Sequence, residues 1–258
     1  MKHFHNGGVV ILDFGSQYTQ LIARRVREHN VFSEILPPET PIGDINKRHP
    51  SALILSGGPS SVFTDEAPKF DNAIMDSEIP ILGICYGLQL LTHHHGGSVE
   101  STGHGEYGFT EIEVDDNTGL FKNVSHCSQV WMSHMDRVSE LPNDWHMLAH
   151  SSNGVVAAMA NHDQSRVATQ FHPEVAHTEE GETILNNFLF NIADCSPSWT
   201  AENFIDEQIM IIRDQVSDGK VLVGVSGGVD STVVAALMHR AIGERSTAVL
   251  IDHGLMRK

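Results

Sequence analysis

Short apolar runs and amphipathic stretches alternate along the first hundred residues. Residues 8–13, 32–36 and 52–55 are apolar or nearly so, and Pro37-Pro38 closes the second run. Runs of this length bounded by turn formers read as strands, and strands covered on both faces lose the apolar–polar alternation. Between the first two, Leu21, Ile22 and Val26 fall on one helical face, with Ser16 placed to cap the helix start. Residues 79–84 are a fourth run, after which Leu88, Leu90 and Leu91 mark another helix that Gly96 would stop. Strand and helix in alternation predict an α/β fold with a parallel sheet.

From residue 109 the pattern changes. Phe109-Thr110-Glu111-Ile112-Glu113-Val114 alternates strictly, as a strand with one wet face does. Residues 130–132, 155–159 and 165–171 are further short strands. Residues 182–193, with Ile184, Leu185, Phe188 and Leu189 on one side, predict one amphipathic helix. Cys195-Ser196-Pro197-Ser198 is the best linker, which divides the chain into a domain at 1–194, a linker at 195–202 and the beginning of a second domain at 203–258. There Phe204, Ile205, Ile209 and Ile212 predict a helix. Residues 220–225 read as a buried strand. Val233, Val234, Leu237 and Met238 follow on a helix, and residues 247–252 are the next strand.

Candidate chemistry sits where strands end. Gly83-Ile84-Cys85-Tyr86-Gly87 is a G-x-C-x-G pattern at a strand-to-helix junction. Such a junction brings backbone against backbone, so flanking positions need glycine, and the apex residue is held in a tight turn with its side chain presented. At a helix N-terminus a thiolate is favoured by unpaired N–H groups and the helix dipole. Taken alone, Cys85 also fits a buried structural cysteine. A base elsewhere shifts the balance: the strand at 165–171 runs into His172-Pro173-Glu174. His172 is placed to take the Cys85 proton and Glu174 to orient the imidazole. His134 is the second candidate base, ranked behind because no carboxylate follows it in that pattern.

Gly-Ile-Cys-Tyr-Gly-Leu-Gln at 83–89 with Gln-Phe-His-Pro-Glu-Val at 170–175 resembles the class I glutamine amidotransferases. Residues 12–18, 55–59, 130–134, 177–181 and 226–231 resemble, within that class, the GMP synthetase family. The resemblance spans nearly the whole chain. It implies a flavodoxin-like, mostly parallel sheet with an antiparallel extension, followed by the first part of a Rossmann-like ATP pyrophosphatase domain. It implies Cys85, His172 and Glu174 as catalytic triad, the Gly58 and Tyr86 N–H groups as oxyanion hole, and Gln89, Ser133 and His134 as glutamine contacts. Residues 133–136 would be a loop that holds glutamine.

Ser226-Gly227-Gly228-Val229-Asp230-Ser231 has glycines and hydroxyls at a helix start but lacks the Gly-Lys-Ser ending of a Walker loop. It resembles the pyrophosphate loop of N-type ATP pyrophosphatases, which implies ATP at 226–231, with Asp230 bringing Mg²⁺. Residues 253–257 resemble the segment near the adenine. No cofactor is implied for the glutaminase step, and ATP and Mg²⁺ are implied for a complete synthetase. Partners implied are glutamine, XMP and ATP, with the remaining pyrophosphatase and dimerisation regions, or a separate subunit, beyond these residues. About 55 residues of a doubly wound sheet hold only its first β-α-β, and such a partial sheet is expected to expose apolar surface.

Charge and cysteine usage narrow the setting. Sixteen Lys and Arg against 33 Asp and Glu give a net charge of −17, which argues against a nucleic-acid partner. Three cysteines without C-x-x-C fit a reducing compartment, and no apolar run is long enough to cross a membrane. A cytoplasmic protein is expected. The run His93-His94-His95 points in different directions on a helix and is assigned no function. The leading expectation is the glutaminase half of a GMP synthetase. The alternatives are an amidotransferase module active only when docked to a pyrophosphatase partner, and a γ-glutamyl peptidase, which the loop at 226–231 disfavours.

Overall fold

The computed structural model describes residues 7–64 and 67–250, the side chains at positions 102 and 104 excepted. These residues divide into two compact units that meet between Pro197 and Ser198. In the first unit, nine strands form one sheet: β1 (Val9–Leu12), β2 (Ser33–Leu36), β3 (Ala52–Leu55), β4 (Ile81–Ile84), β5 (Ser98–Val114), β6 (Cys127–Glu140), β7 (Trp145–Ser151), β8 (Val156–Asn161) and β9 (Arg166–Thr169). Their order is β2-β1-β3-β4-β9-β8-β7-β5-β6. The first five positions pair in parallel and the rest antiparallel, so the expected parallel sheet with an antiparallel extension is what forms.

Both faces of the parallel half are covered. Val9, Ile11, Ile54, Leu82 and Ile84 face α1 (Thr19–Glu28) and the segment carrying Ile184 and Phe188. Val10, Leu12, Leu53, Leu55 and Ile81 face α2 (Ile42–Asn46) and α3 (Tyr86–His94). Every residue of β1, β3, β4 and β9 is therefore buried, which is why β1, β3 and β4 read as unbroken apolar runs, while β9 buries Arg166 and Thr169 at its ends.

Several expectations need correction. Residues 133–136 are not a loop but the middle of β6, paired with β5 through Tyr107–Ser133 and Glu106–His134. The alternation is real, with Val130, Met132, His134, Asp136 and Val138 all inward; two polar residues on the buried face conceal it from a hydrophobicity reading. The single helix expected at 182–193 is α4 (Gly181–Asn186) continued by a π-helical turn, Asn187–Ile192. The Asn187 side chain donates to the carbonyls of Leu120 and Lys122, and the Ala193 N–H reaches back to Phe188. Ser16 does not cap α1, which begins at Thr19; its hydroxyl accepts from the Tyr18 N–H in the turn before it. Cys195, expected in the linker, is buried in the first unit with its N–H on the Leu189 carbonyl. Strand β7 and helix α2 have no counterpart in the hydrophobic pattern.

The second unit holds α5 (Ala201–Val216), β10 (Val221–Val225), α6 (Val229–Ile242) and β11 (Ser246–Leu250), with β10 and β11 parallel. Thr200 caps α5 by accepting from the Asn203 N–H. Ile209, Ala241 and Ile242 form its small core. Leu222, Val229, Val233 and Leu250 are exposed, as expected for one β-α-β of a doubly wound sheet; the strand expected to be buried at 220–225 therefore buries only Val223 within β10. The expected adenine segment lies outside the described residues.

Candidate active site

Three parallel strands end at one edge and deliver the site. At the end of β4 the chain turns at Cys85 directly into α3. Cys85 has φ 53° and ψ −100°, a conformation costly for a residue with a side chain. Its N–H is fixed by the Thr169 carbonyl at 2.7 Å, at the end of β9. The two flanking glycines are sterically required. A Cβ on Gly83 would sit 2.6 Å from the Gly87 carbonyl, and one on Gly87 would sit 2.5 Å from the Leu55 oxygen. Because those obstacles are backbone, Gly87→Ala is expected to cost about 3 kcal/mol, read as a lower urea midpoint for the first unit. Gly96→Ala, at a surface position with open space around it but φ +85°, should cost only about 1 kcal/mol.

Beyond β9, His172 and Glu174 enter a buried turn. His172 Nδ1 lies 2.8 Å from Glu174 Oε1, and both side chains are almost wholly buried. The His172 N–H donates to the Trp131 carbonyl, and its own carbonyl accepts from the Thr178 hydroxyl. The Tyr18 ring packs edge-to-face with the imidazole, the two centroids 5.0 Å apart. With Nδ1 committed to Glu174, the other ring nitrogen is left for Cys85, which lines the same cleft and interacts electrostatically with this imidazole. Burial by itself would lower the proton affinity of His172. The Glu174 carboxylate, which accepts from Nδ1, together with the neighbouring Cys85, overrides it and raises the pKa to about 10. An imidazole with this proton affinity is a strong acceptor for a thiol proton.

The third strand end is the loop after β3. The Ser56 hydroxyl accepts from the Phe14 N–H and donates to the Gly57 carbonyl, which locks this loop against the one after β1. A Cβ on Gly57 would lie 3.2 Å from His172 Cε1 and 3.7 Å from Cys85 Cβ. Among the described residues, the N–H groups of Gly58 and Tyr86 donate no hydrogen bond. The cleft in front of Cys85 has a volume of about 810 Å³, and Gly58, Gln89, Ser133 and His134 line it with Cys85 and His172.

The expected glutamine contacts behave differently from one another. Ser133 is exposed to the cleft, and its carbonyl lies 3.6 Å from Cys85 Sγ. The Gln89 amide donates to the Asp136 carbonyl at 3.0 Å, tying α3 to β6. His134 is buried between the Asp136 carbonyl and the Glu106 carboxylate at 3.2 Å, and Glu106 also accepts from Ser151 and Asn153. A carboxylate partner for His134 thus exists, but it comes from β5, where sequence adjacency does not show it. Both ring nitrogens of His134 are thereby engaged, whereas His172 keeps one nitrogen free of Glu174 and interacts with Cys85. The histidine run diverges as its helical spacing requires: His94 pairs with Asp76, His95 packs on Trp145, and His93 on Phe63.

In the second unit, Ser226 to Ser231 form an exposed turn into α6. Gly227 has φ +78°, and the Ser231 hydroxyl bridges the Ser226 N–H and the Gly228 carbonyl. Asp230 stands exposed in the first turn of α6. Among the described residues no group of three or more His, Cys, Asp or Glu could hold a metal.

A strand-to-helix elbow bearing cysteine, a buried His–Glu pair from a neighbouring strand end, and a parallel sheet with an antiparallel wing define a Cys–His–Glu amidotransferase architecture. The chain belongs to the class I glutamine amidotransferases, whose family model matches residues 10–192. The family model described as NAD synthase matches residues 201–256. The chain is 48% identical over 250 residues to the glutamine-hydrolysing GMP synthase of Thermobifida fusca and 49% identical to that of Alkaliphilus metalliredigens, covering 97% of this chain in both cases. It spans about half the length of these relatives, 47% and 49%. A solved structure described as a putative GMP synthase component from Thermoplasma acidophilum is 33% identical, with TM-score 0.66, covering 74% of this chain and 96% of that one. A glutamine amidotransferase from Thermotoga maritima shares the fold at 21% identity and TM-score 0.55, over 93% of this chain and 92% of that one.

Proposed function

We infer that this chain is the glutamine-hydrolysing half of a GMP synthase, with Cys85 as nucleophile, His172 as acid–base and Glu174 as its orienting partner. The observation that carries the reading is the His172 imidazole, held by the Glu174 carboxylate at 2.8 Å and lining one cleft with Cys85, both of them beside Gly57. His172 takes the thiol proton. The sulfur attacks the side-chain carbonyl carbon of glutamine, and the oxyanion is held by the Gly58 and Tyr86 N–H groups. Collapse of the tetrahedral intermediate breaks the C–N bond as imidazolium protonates the departing nitrogen, so ammonia leaves and a γ-glutamyl thioester remains. Water, deprotonated by His172, cleaves the thioester to glutamate and restores the thiol. Gln89, Ser133 and His134 hold glutamine in the cleft, Ser133 directly and the buried pair by shaping its wall.

In the complete synthase the ammonia would be consumed by an adenylylated XMP, giving GMP, AMP and pyrophosphate. Residues 226–231 would cradle the ATP phosphates on the N-terminus of α6. A single exposed carboxylate, Asp230, fits Mg²⁺ carried in on nucleotide phosphates, because that ion keeps several waters and needs few protein ligands. Among the described residues no helix is long and apolar enough to cross a membrane, in keeping with action in the cytoplasm.

The test is glutamate and ammonia release from glutamine, with hydroxylamine added to trap the thioester as γ-glutamyl hydroxamate. Equal release of both products is expected without the trap, and with it ammonia should equal glutamate plus hydroxamate. Turnover without any trappable acyl group rules out the thioester route. Repeating the assay with a pyrophosphatase partner, XMP and ATP separates basal from coupled hydrolysis. Release only in that mixture identifies a module that works when docked.

A further inference from the structure

The residue beside the catalytic strand end, Gln170, has no role in the mechanism above, yet its side chain is fully buried. Its Nε2 lies 3.7 Å from Cys85 Sγ, within range of an N–H···S hydrogen bond. Its Oε1 is buried with no hydrogen-bond partner. An amide half unpaired in a protein interior is expensive, and replacing it with an apolar group of similar shape is ordinarily neutral or stabilising. The backbone fixes its aim. The Gln170 N–H bonds the Ala157 carbonyl, the preceding Thr169 carbonyl holds the Cys85 N–H, and two residues on comes His172.

The surroundings of the sulfur are two-sided. The Ser133 carbonyl, at 3.6 Å, can only accept, and it suits the protonated thiol as donor. The Gln170 amide and the His172 ring, once it has taken the proton, can only donate to the sulfur, and they suit the thiolate. The same pocket therefore satisfies both forms, and proton transfer to His172 exchanges one set of partners for the other.

We propose that Gln170 is a further catalytic residue, its side-chain N–H donating to the Cys85 sulfur and holding negative charge there when the thiolate forms and when it leaves the thioester. This rests on Cys85 being the nucleophile. A hydrogen bond to a charged group is stronger than one to a neutral group, so the amide favours the thiolate over the thiol. The orphaned Oε1 is the stability forgone for that orientation.

The experiment compares wild type with Gln170→Leu and Gln170→Met. Read-outs are the pH dependence of Cys85 alkylation by iodoacetamide, kcat and KM for glutamine, and thermal stability. The titratable neighbours of the sulfur and cleft, His172, Glu174, Tyr18, His134 and Asp136, are the same in all three proteins. Expected are an alkylation midpoint raised by about one pH unit, kcat/KM lowered about tenfold chiefly through kcat, and a Tm equal to or above wild type. Gln170→Glu, which places an acceptor or a negative charge against the sulfur, should be slower still. An unchanged alkylation profile and kcat in a folded Leu or Met variant overturns the proposal. So does a lowered Tm with that same unchanged profile, which would make Gln170 a packing residue. Wild-type enzyme that stays active after complete alkylation of Cys85 instead sinks the nucleophile assignment, a result distinct from either.

Discussion

Cys85→Ala is expected to lower glutamine hydrolysis by about 10⁴- to 10⁶-fold while leaving glutamine binding and the fold intact. The magnitude follows from losing the covalent route altogether; removing the nucleophile of a coupled triad removes nearly all that the triad supplies. Residual turnover would come from oxyanion donors and positioning alone. Binding should survive because the cleft is built from the loop after β3, from α3 and from β6, and β6 is held by its ladder with β5 rather than by the long Cys85 Sγ contact to the Ser133 carbonyl. The fold should survive because the elbow is set by Gly83, Gly87 and the Cys85 N–H bond to Thr169, and alanine keeps that N–H. Cys85→Ser should be nearly as slow, since a hydroxyl gives up its proton far less readily than a thiol at the same imidazole. Glutamate release gives the rate and isothermal calorimetry the binding. Turnover within tenfold of wild type would remove Cys85 from the chemistry, and lost glutamine binding would show that the sulfur shapes the cleft.

What the sequence revealed follows from which interactions are local. β1, β3 and β4 were legible because a strand covered on both faces must be apolar throughout. The elbow was legible because only glycine clears the backbone at positions 83 and 87, and that demand is written at fixed spacing around Cys85. His172 and Glu174 were legible because two residues and one proline set their geometry. The losses occur where partners come from distant strands. The family resemblance implied a loop at 133–136, and because His134 and Asp136 interrupt the apolar face of β6 the hydrophobic pattern did not contradict it; the ladder with β5 and the Glu106 carboxylate explain why they are inward. The π-helical turn at Asn187–Ile192 left no mark either, because Ile184, Leu185, Phe188 and Leu189 fit an ordinary helix equally well, and what accompanies the widening is the Asn187 amide bonded to carbonyls near residue 120. Gln170 opens the Gln-Phe-His-Pro-Glu-Val motif, but its proximity to the sulfur depends on β9 lying beside β4, a pairing no local pattern reports.

Glu174→Gln is expected to lower kcat/KM by about 10²- to 10⁴-fold, and its pH behaviour identifies the cause. Glu174 Oε1 accepts from His172 Nδ1, and Oε2 is buried with no partner. A glutamine here leaves its NH₂ either unpartnered in the Oε2 position or turned toward Nδ1. In the second arrangement Nδ1 must accept, the ring carries its proton on the other nitrogen, and that nitrogen can no longer take the thiol proton. In both arrangements the negative charge is lost, so burial acts unopposed and the proton affinity of His172 falls. The sign for stability follows. A histidine raised from 6.5 to about 10 in the folded state contributes stabilisation that is fully present below pH 6.5 and is lost as pH rises through about 10. Wild type should therefore lose stability relative to Glu174→Gln between those limits, measured as the difference of their urea midpoints at each pH, which cancels the lysines and tyrosines common to both. A difference that stays flat across the window would mean that Glu174 does not hold the charge on His172, and its part in catalysis would then be confined to orienting the ring.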